Sequence, residues 1–214
     1  MYRKILFAVA DDEALTCAVP VVSAYARRWG AAVHVLHVQR PDAGAPGDDL
    51  VTSLTERLQA EGVTATGEVR LVEGSERIAG VIARMARRDG ADVVAVGSHG
   101  RSDLGALLLG SVSHAVASGL DVPVLVVRAG AAGAVEPLQR RDVRAVGETL
   151  LDPSVPNAIA WAAQRHRASL VVLGSRRPSD LSGLLLGSVG HEAIRQLRCP
   201  VLLAGRVEVA EAVR

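Results

Sequence analysis

The sequence predicts a doubly wound α/β protein: a mostly parallel sheet with helices on both faces. Three observations predict it. Short continuous apolar runs rich in Val, Ile and Leu recur at 5–9, 33–38, 93–96 and 124–127, as in strands covered on both faces. Helix-period segments separate those runs. The second half of the chain then repeats part of the first at a fixed offset of 77 residues.

Taken in order, residues 5–9 read as the first strand. The helical pattern at 14–28 contains Pro20, which a helix tolerates only in its first turn, so Pro20 either kinks the helix or marks its start. A strand at 33–38 and a helix at 48–60 follow, and a weaker, more alternating run at 64–72 reads as another strand. The segment 75–88 sets Ile78, Val81, Ile82 and Met85 on one stripe with arginines opposite, an amphipathic helix whose 84–88 face reads as solvated. A strand at 93–96, a helix at 111–119 and a strand at 124–127 complete five strands and four helices. That alternation argues for a parallel sheet with right-handed crossovers.

Residues 129–142, small and then charged, read as a linker. Beyond them Ile82 matches Ile159, Ala91 matches Ala168, Gly97 matches Gly174, His114 matches His191 and Pro123 matches Pro200. The second copy starts near Val143 and supplies only β-α-β-α-β, with nothing equivalent to the first ~65 residues. The expected organisation is a complete domain at 1–128, a linker at 129–142 and a truncated repeat at 143–214. So small a half-repeat leaves open strand edges. It is therefore expected to dock on the first domain or on another subunit, most economically by pairing 201–204 with 124–127. The tail 206–214 is expected to be loosely held or to add an edge strand.

Composition excludes several classes of function. The 214 residues carry a net charge of +1 and only 2% aromatics, which disfavours nucleic-acid binding by charge or by stacking. No apolar run approaches the ~20 residues needed to span a bilayer. The basic start, Met1 to Lys4, lacks a cleavage site before Asp11 and Asp12 and reads as the approach to a strand. Cys17 and Cys199 have no metal spacing and read as small buried hydrophobes. A reducing cytoplasm is the expected compartment.

The most informative stretch is 97–111, Gly-Ser-His-Gly-Arg-Ser-Asp-Leu-Gly-Ala-Leu-Leu-Leu-Gly-Ser, between a strand and a helix. Glycines let the backbone approach a phosphate, and the helix start offers unpaired N–H groups and a positive dipole end. The second copy, 174–188, shares ten of these fifteen residues but has Arg177 and Pro178 where the first has Gly100 and Arg101. A side chain there would fill phosphate space, and proline removes a donor.

The spacing Gly97-x2-Gly100-x9-Gly110-Ser111 resembles the ATP-binding signature of the universal stress protein family. The flanking runs 91–101 and 123–127, the opening Lys4-Ile-Leu-Phe-Ala-Val and Leu36-His-Val are similar to that family too. The resemblance implies phosphate contacts at Gly97, Gly100, Gly110, Ser111 and the adjoining Val112, with Arg101 partly offsetting the charge. It implies an adenine side formed by Ala8, Val9, the backbone of Val38 and, if the turn is rearranged, Asp11. Ala10 stands where the family usually has Asp. The implied ligand is ATP, with Mg2+, or another adenine nucleotide such as cyclic AMP or AMP. One site per chain is expected.

Plainer readings stand beside these. His37 reads as a satisfied core histidine, His99 as a phosphate contact or a solvated side chain, and His114 and His191 as a coincidence of duplication. Leu107–Leu109 and Leu184–Leu186 read as core, or alternatively as a packing surface between halves or subunits. No Gly-x4-Gly-Lys-Ser/Thr loop, Gly-x-Ser-x-Gly elbow or His-Glu-x-x-His motif occurs, and no residue stands out as a general base. The expectation is a nucleotide-dependent regulator or stress-tolerance factor, a homodimer, and at most a slow ATPase. The alternatives are a related protein that binds no nucleotide and acts through dimerisation or partners, and a weak adenine-nucleotide hydrolase.

Overall fold

A computed structural model describes residues 2–10, 18–41, 47–98, 111–128, 154–174 and 188–204. The strands are β1 (Lys4–Val9), β2 (Ala32–Gln39), β3 (Ala65–Leu71), β4 (Val93–Ser98), β5 (Val124–Arg128), β6 (Val171–Gly174) and β7 (Val201–Ala204). The helices are α1 (Val19–Trp29), α2 (Gly47–Ala60), α3 (Ile78–Arg88), α4 (Ser111–Gly119), α5 (Val155–Arg165) and α6 (Ser188–Gln196). None of the described helices is long and apolar enough to cross a membrane.

All seven strands form one sheet in the order β3-β2-β1-β4-β5-β7-β6. The five first-copy strands are mutually parallel. Their helices divide between the faces. Val19, Val22 and Tyr25 of α1, with Val51, Leu54 and Leu58 of α2, cover Ile5, Phe7, Val33, Val35 and Val93. Val81, Ile82 and Met85 of α3, with Val116 of α4 and Leu120 just after it, cover Leu6, Leu36, Val94 and Val126. Phe7, Ile5, Leu6, Leu36 and Leu54 lie among the fully buried side chains, each contributing roughly 1.5–3 kcal/mol by its removal from water.

Local chemistry sets the helix ends. Pro20 falls in the first turn of α1, where its missing N–H is no loss, so it marks a start and not a kink. Gly30 closes that helix at φ 66°, in the left-handed region. The expected helix at 75–88 begins only at Ile78. Before it Gly74 adopts φ 55° and the Glu76 N–H donates to the Glu73 carbonyl at 3.1 Å, a turn that holds 73–76 out of the helix. The arginine face of α3 is also more engaged than solvation implies: Arg84 pairs with Glu76, and Arg88 with Glu68 and Asp89.

The second copy docks on the first within one chain, the first of the two arrangements expected. β7 pairs antiparallel with β5, setting Val124 opposite Leu203, Leu125 opposite Leu202 and Val126 opposite Val201. Under the 77-residue offset Val201, Leu202 and Leu203 are the counterparts of Val124, Leu125 and Val126. The pairing is thus a local two-fold centred on Leu125 and Leu202. His114 and His191, also counterparts, lie with ring centroids 5.8 Å apart across it. α6 adds Ala193 and Ile194 to the α3–α4 core, and Leu197 follows just after it. On the other face the Tyr25 hydroxyl donates to the Ser169 carbonyl at 3.1 Å, tying α1 to the half-repeat. Of the three strands expected in the second copy, the one starting near Val143 lies outside the described residues; β6 and β7 are the other two. Cys199 is buried, and Cys17 lies outside the described residues.

Candidate functional site

In an open parallel sheet the strands' carboxyl ends define the binding edge, and a crevice opens where the strand order reverses. Here the reversal lies between β1 and β4: β2 and β3 extend to one side, β5 to the other. Ala8 at the end of β1 stands opposite Val96 of β4, the residue before Gly97. Val9 stands opposite His37, and Val38 lies one residue before the end of β2 on the same edge. Ala8, Val9 and Val38 are buried. Their small, apolar surroundings suit the flat face of a heteroaromatic base.

The helix start is fixed beside the end of β4. The Ser113 hydroxyl, buried in the first turns of α4, donates to the Gly97 carbonyl at 2.8 Å. That bond aims the N-terminal N–H groups of α4, from Ser111 and Val112, at the carboxyl end of the sheet, where they can receive an anion. The Val112 side chain packs against the core, so its offering is the backbone. The structure therefore brings Ala8, Val9, Val38, Gly97, Ser111 and Val112 to one edge. Asp11, His99, Gly100, Arg101 and Gly110 lie outside the described residues, as do Leu107–Leu109 and Leu184–Leu186.

Two supporting residues were not legible as site residues from sequence. Ser113 carries no motif signal beyond its place in a helix start. Gly47 begins α2 against β2: a Cβ there would stand 2.3 Å from Cδ2 of His37. His37 is 2% exposed and its Nδ1 lies 3.1 Å from the Val9 carbonyl, where the ring N–H donates. It is the satisfied core histidine expected, and it also fixes the last residue of β1. The tight fit of Gly47 lets α2 press on that ring.

A second polar cluster lies away from this edge. His34 Nε2 is 3.1 Å from Glu68 Oε1 and 3.7 Å from Asp89 Oδ2, and the three donor atoms lie within 4.8 Å of one another. Arg88 reaches Glu68 at 2.6 Å and Asp89 at 2.8 Å, and Arg70 reaches Glu68 at 2.6 Å. Two guanidinium groups thus balance two carboxylates, and a divalent cation would leave the cluster strongly positive. Partial burial raises both acids, but hydrogen bonds and charge from His34, Arg88 and Arg70 outweigh it at Glu68, and Arg88 chiefly outweighs it at Asp89. Both carboxyls end below their usual range. This cluster clamps β2, β3 and α3.

With that geometry in view, comparison with known proteins is decisive. The model of the universal stress protein family matches residues 1–128 and again 130–205. The chain belongs to the universal stress protein family. A Thermus aquaticus universal stress protein is 30% identical over 139 residues, 60% of this chain and all of that one. A Mycobacterium tuberculosis universal stress protein is 36% identical over 123 residues, but the match spans only 40% of that longer protein. Among solved structures, a universal stress protein from Archaeoglobus fulgidus shares the fold at TM-score 0.70 and 16% identity, over 95% of this chain and 98% of that one. A universal stress protein solved in complex with cAMP aligns at TM-score 0.50 and 22% identity, over 60% of this chain and 98% of that one. The second family match shows that the half-repeat, though short, is a universal stress protein segment in its own right.

Proposed function

We propose that this universal stress protein binds one adenine nucleotide per chain at the carboxyl ends of β1, β2 and β4, and works as a nucleotide-dependent regulator. ATP with Mg2+ is the favoured ligand, cyclic AMP or AMP the alternatives. The observation that carries this reading is the β1/β4 switch point, with Gly97 near the end of β4 and Ser113 holding the start of α4 beside it. The cAMP complex of the structural relative supports the ligand class. Residues 97–111 would hold the phosphates, and Ala8, Val9 and Val38 the base. Arg101 and Asp11 would complete the site.

The reading divides the chain into a nucleotide-binding domain at 1–128, a linker at 129–142 and a second copy at 143–214 that binds none. The second copy contains no counterpart of β1 and β2, and Arg177 replaces its loop glycine. The reading is of a binding protein with at most slow hydrolysis. Calorimetric titration of nucleotide-stripped protein with Mg-ATP tests it. One site per chain, lost in Gly100→Arg without unfolding, is the expected result; no binding, or unchanged affinity in that variant, overturns it.

Ala10 at the position of the family's usual Asp favours a second reading: a protein that has lost its nucleotide and acts through homodimerisation or partner contacts. Absence of bound nucleotide after purification, with indifference to added ATP, would select it.

A further inference from the structure

We propose that His114 and His191 chelate one divalent transition-metal ion of the zinc class, which clasps the half-repeat to the first copy. Duplication explains why the two positions carry the same residue; the local two-fold explains why they meet. Each is the fourth residue of its helix, α4 or α6. The antiparallel β5–β7 pair brings those two positions together, with ring centroids 5.8 Å apart.

That spacing suits one shared ion. Zinc sits about 2.1 Å from an imidazole nitrogen, which places each ring centroid about 3.3 Å from the ion. Two such rings have centroids about 5.4 Å apart at a tetrahedral angle and about 6.6 Å apart when opposed. The observed 5.8 Å lies inside that range. The ring planes stand at 66°, edge towards face, so chelation requires a nitrogen of each to turn towards the gap. Rotation about χ2 is broad for histidine, and exposed side chains turn within nanoseconds. His114 is exposed and His191 half-buried, which gives the rings that freedom.

The backbones beneath them are held. Val116 and Ala117, shortly after His114, and Ala193 and Ile194, shortly after His191, are buried in one core. Packing thus fixes both attachment points, and a preorganised chelate loses little entropy on closing. Neither ring is hydrogen-bonded or ion-paired to another described residue, so the nitrogens are not committed to one. Charge does not oppose an ion either, for Glu192 and Arg195, neighbours of His191 on α6, pair with each other at 2.9 Å.

The donor set names the class of ion. Imidazole suits Zn2+, Ni2+ and Cu2+, whereas Mg2+ and Ca2+ require oxygen ligands; water would fill the remaining positions. The site is distinct from the cluster of His34, Glu68 and Asp89, whose carboxylates are already balanced by guanidinium groups. It is independent of the nucleotide reading, since it uses neither the glycine loop nor the strand ends. An ion held by one residue from each copy binds only when the copies are docked, so its binding stabilises that docking.

Titration calorimetry of the intact, untagged, nucleotide-free chain with ZnCl2 decides the proposal, with MgCl2 as the control. One Zn2+ per chain is expected, with affinity at least about 10-fold weaker in His114→Ala and in His191→Ala. Zinc at about 100 times its Kd should raise the parent's Tm by about 5–10 °C and leave that of both variants in place. Absence of binding overturns the proposal, as does unchanged affinity in either variant. One ion per two chains also overturns it, since the ion would then bridge subunits. Should a variant fail to fold, the imidazole nitrogen resonances of the unaltered chain decide: those of both histidines must shift together as the first equivalent of Zn2+ is added.

Discussion

Replacing Gly47 with alanine tests whether α2 is seated on the candidate site through His37. The added Cβ would lie 2.3 Å from His37 Cδ2, 3.1 Å from His37 Nε2 and 2.9 Å from Gln39 Oε1. Carbon atoms rest about 3.5–4.0 Å apart, so the ring or the helix must retreat by about 1 Å. The ring cannot retreat freely, being 2% exposed and bonded to the Val9 carbonyl. Overpacking of this kind costs about 1–3 kcal/mol, offset by about 0.4–1 kcal/mol from the stiffer unfolded chain that alanine brings. A net loss of about 1–2 kcal/mol remains, and for a chain of this size each kcal/mol moves Tm by about 2–4 °C. Calorimetry should show Tm falling by about 2–8 °C, with nucleotide affinity falling as Val9 shifts. His37→Ala in the same background should restore part of the loss, because the two changes share one contact. A Tm at or above that of the parent, or strict additivity of the two substitutions, would refute the reasoning.

Two further predictions concern pH and the seam between repeats. The carboxyls of Glu68 and Asp89 sit below their usual range, so their contribution is complete above the unfolded values near pH 4 and is lost as pH falls through the lower folded values. Urea unfolding between pH 7 and pH 2.5 should therefore show stability falling below about pH 5, and Glu68→Gln should shallow that slope while converging on the parent at the acid end; parallel slopes would count against the clamp. Tyr25 is the opposite case: burial, chiefly, with Cys199 adding, pushes its phenol up, so its contribution is full below pH 10 and lost as pH rises through the folded value. Tyr25→Phe should lower stability by about 0.5–1.5 kcal/mol at pH 7, flatten the alkaline limb and speed hydrogen exchange around Ser169; unchanged exchange there would show that the bond does not hold the half-repeat.

The sequence carried most of the first copy because its strands are buried on both faces and announce themselves as unbroken apolar runs. Ile5 to Val9 and Val93 to Val96 could hardly be read otherwise. β3 was weaker for a physical reason: at the sheet edge, its Thr66, Gly67, Arg70 and Leu71 are half-buried or exposed, and edge strands need no apolar run. The start of α3 was misplaced because periodicity cannot see the left-handed turn at Gly74. At the candidate site, glycine spacing pointed to the loop and the strand ends, but Ser113 and Gly47 act through one bond and one close approach that leave no pattern. The antiparallel sense of the β5–β7 pair was likewise invisible, since both senses bury the same Val and Leu residues. The five-part cluster of His34, Glu68, Arg70, Arg88 and Asp89 joins positions up to 55 residues apart and has no linear signature at all.

The local two-fold explains which half of the second copy is present. Strand β5 would otherwise be an edge of the sheet, and a symmetric dimer would cover it by pairing β5 with itself about Leu125. In this chain β7 does so from within, setting Leu202 where a partner's Leu125 would stand. The elements nearest that axis, β7 and α6, with Leu197 just after α6, bury Ala193, Ile194, Leu197, Val201 and Leu203 in the shared core. The absent elements are the counterparts of β1, β2, α1 and α2, which in the first copy form the base side of the candidate site and one whole helical layer. Losing them leaves the β5–β7 pair and the α6 contact in place and removes everything from a second base-binding crevice. Arg177 in place of the loop glycine is the same change seen at the phosphate side: once no base can be held, nothing requires that backbone to approach a phosphate. The half-repeat stands to the first copy as a partner subunit reduced to its contact surface, and the Tyr25–Ser169 bond reinforces that contact from the opposite face.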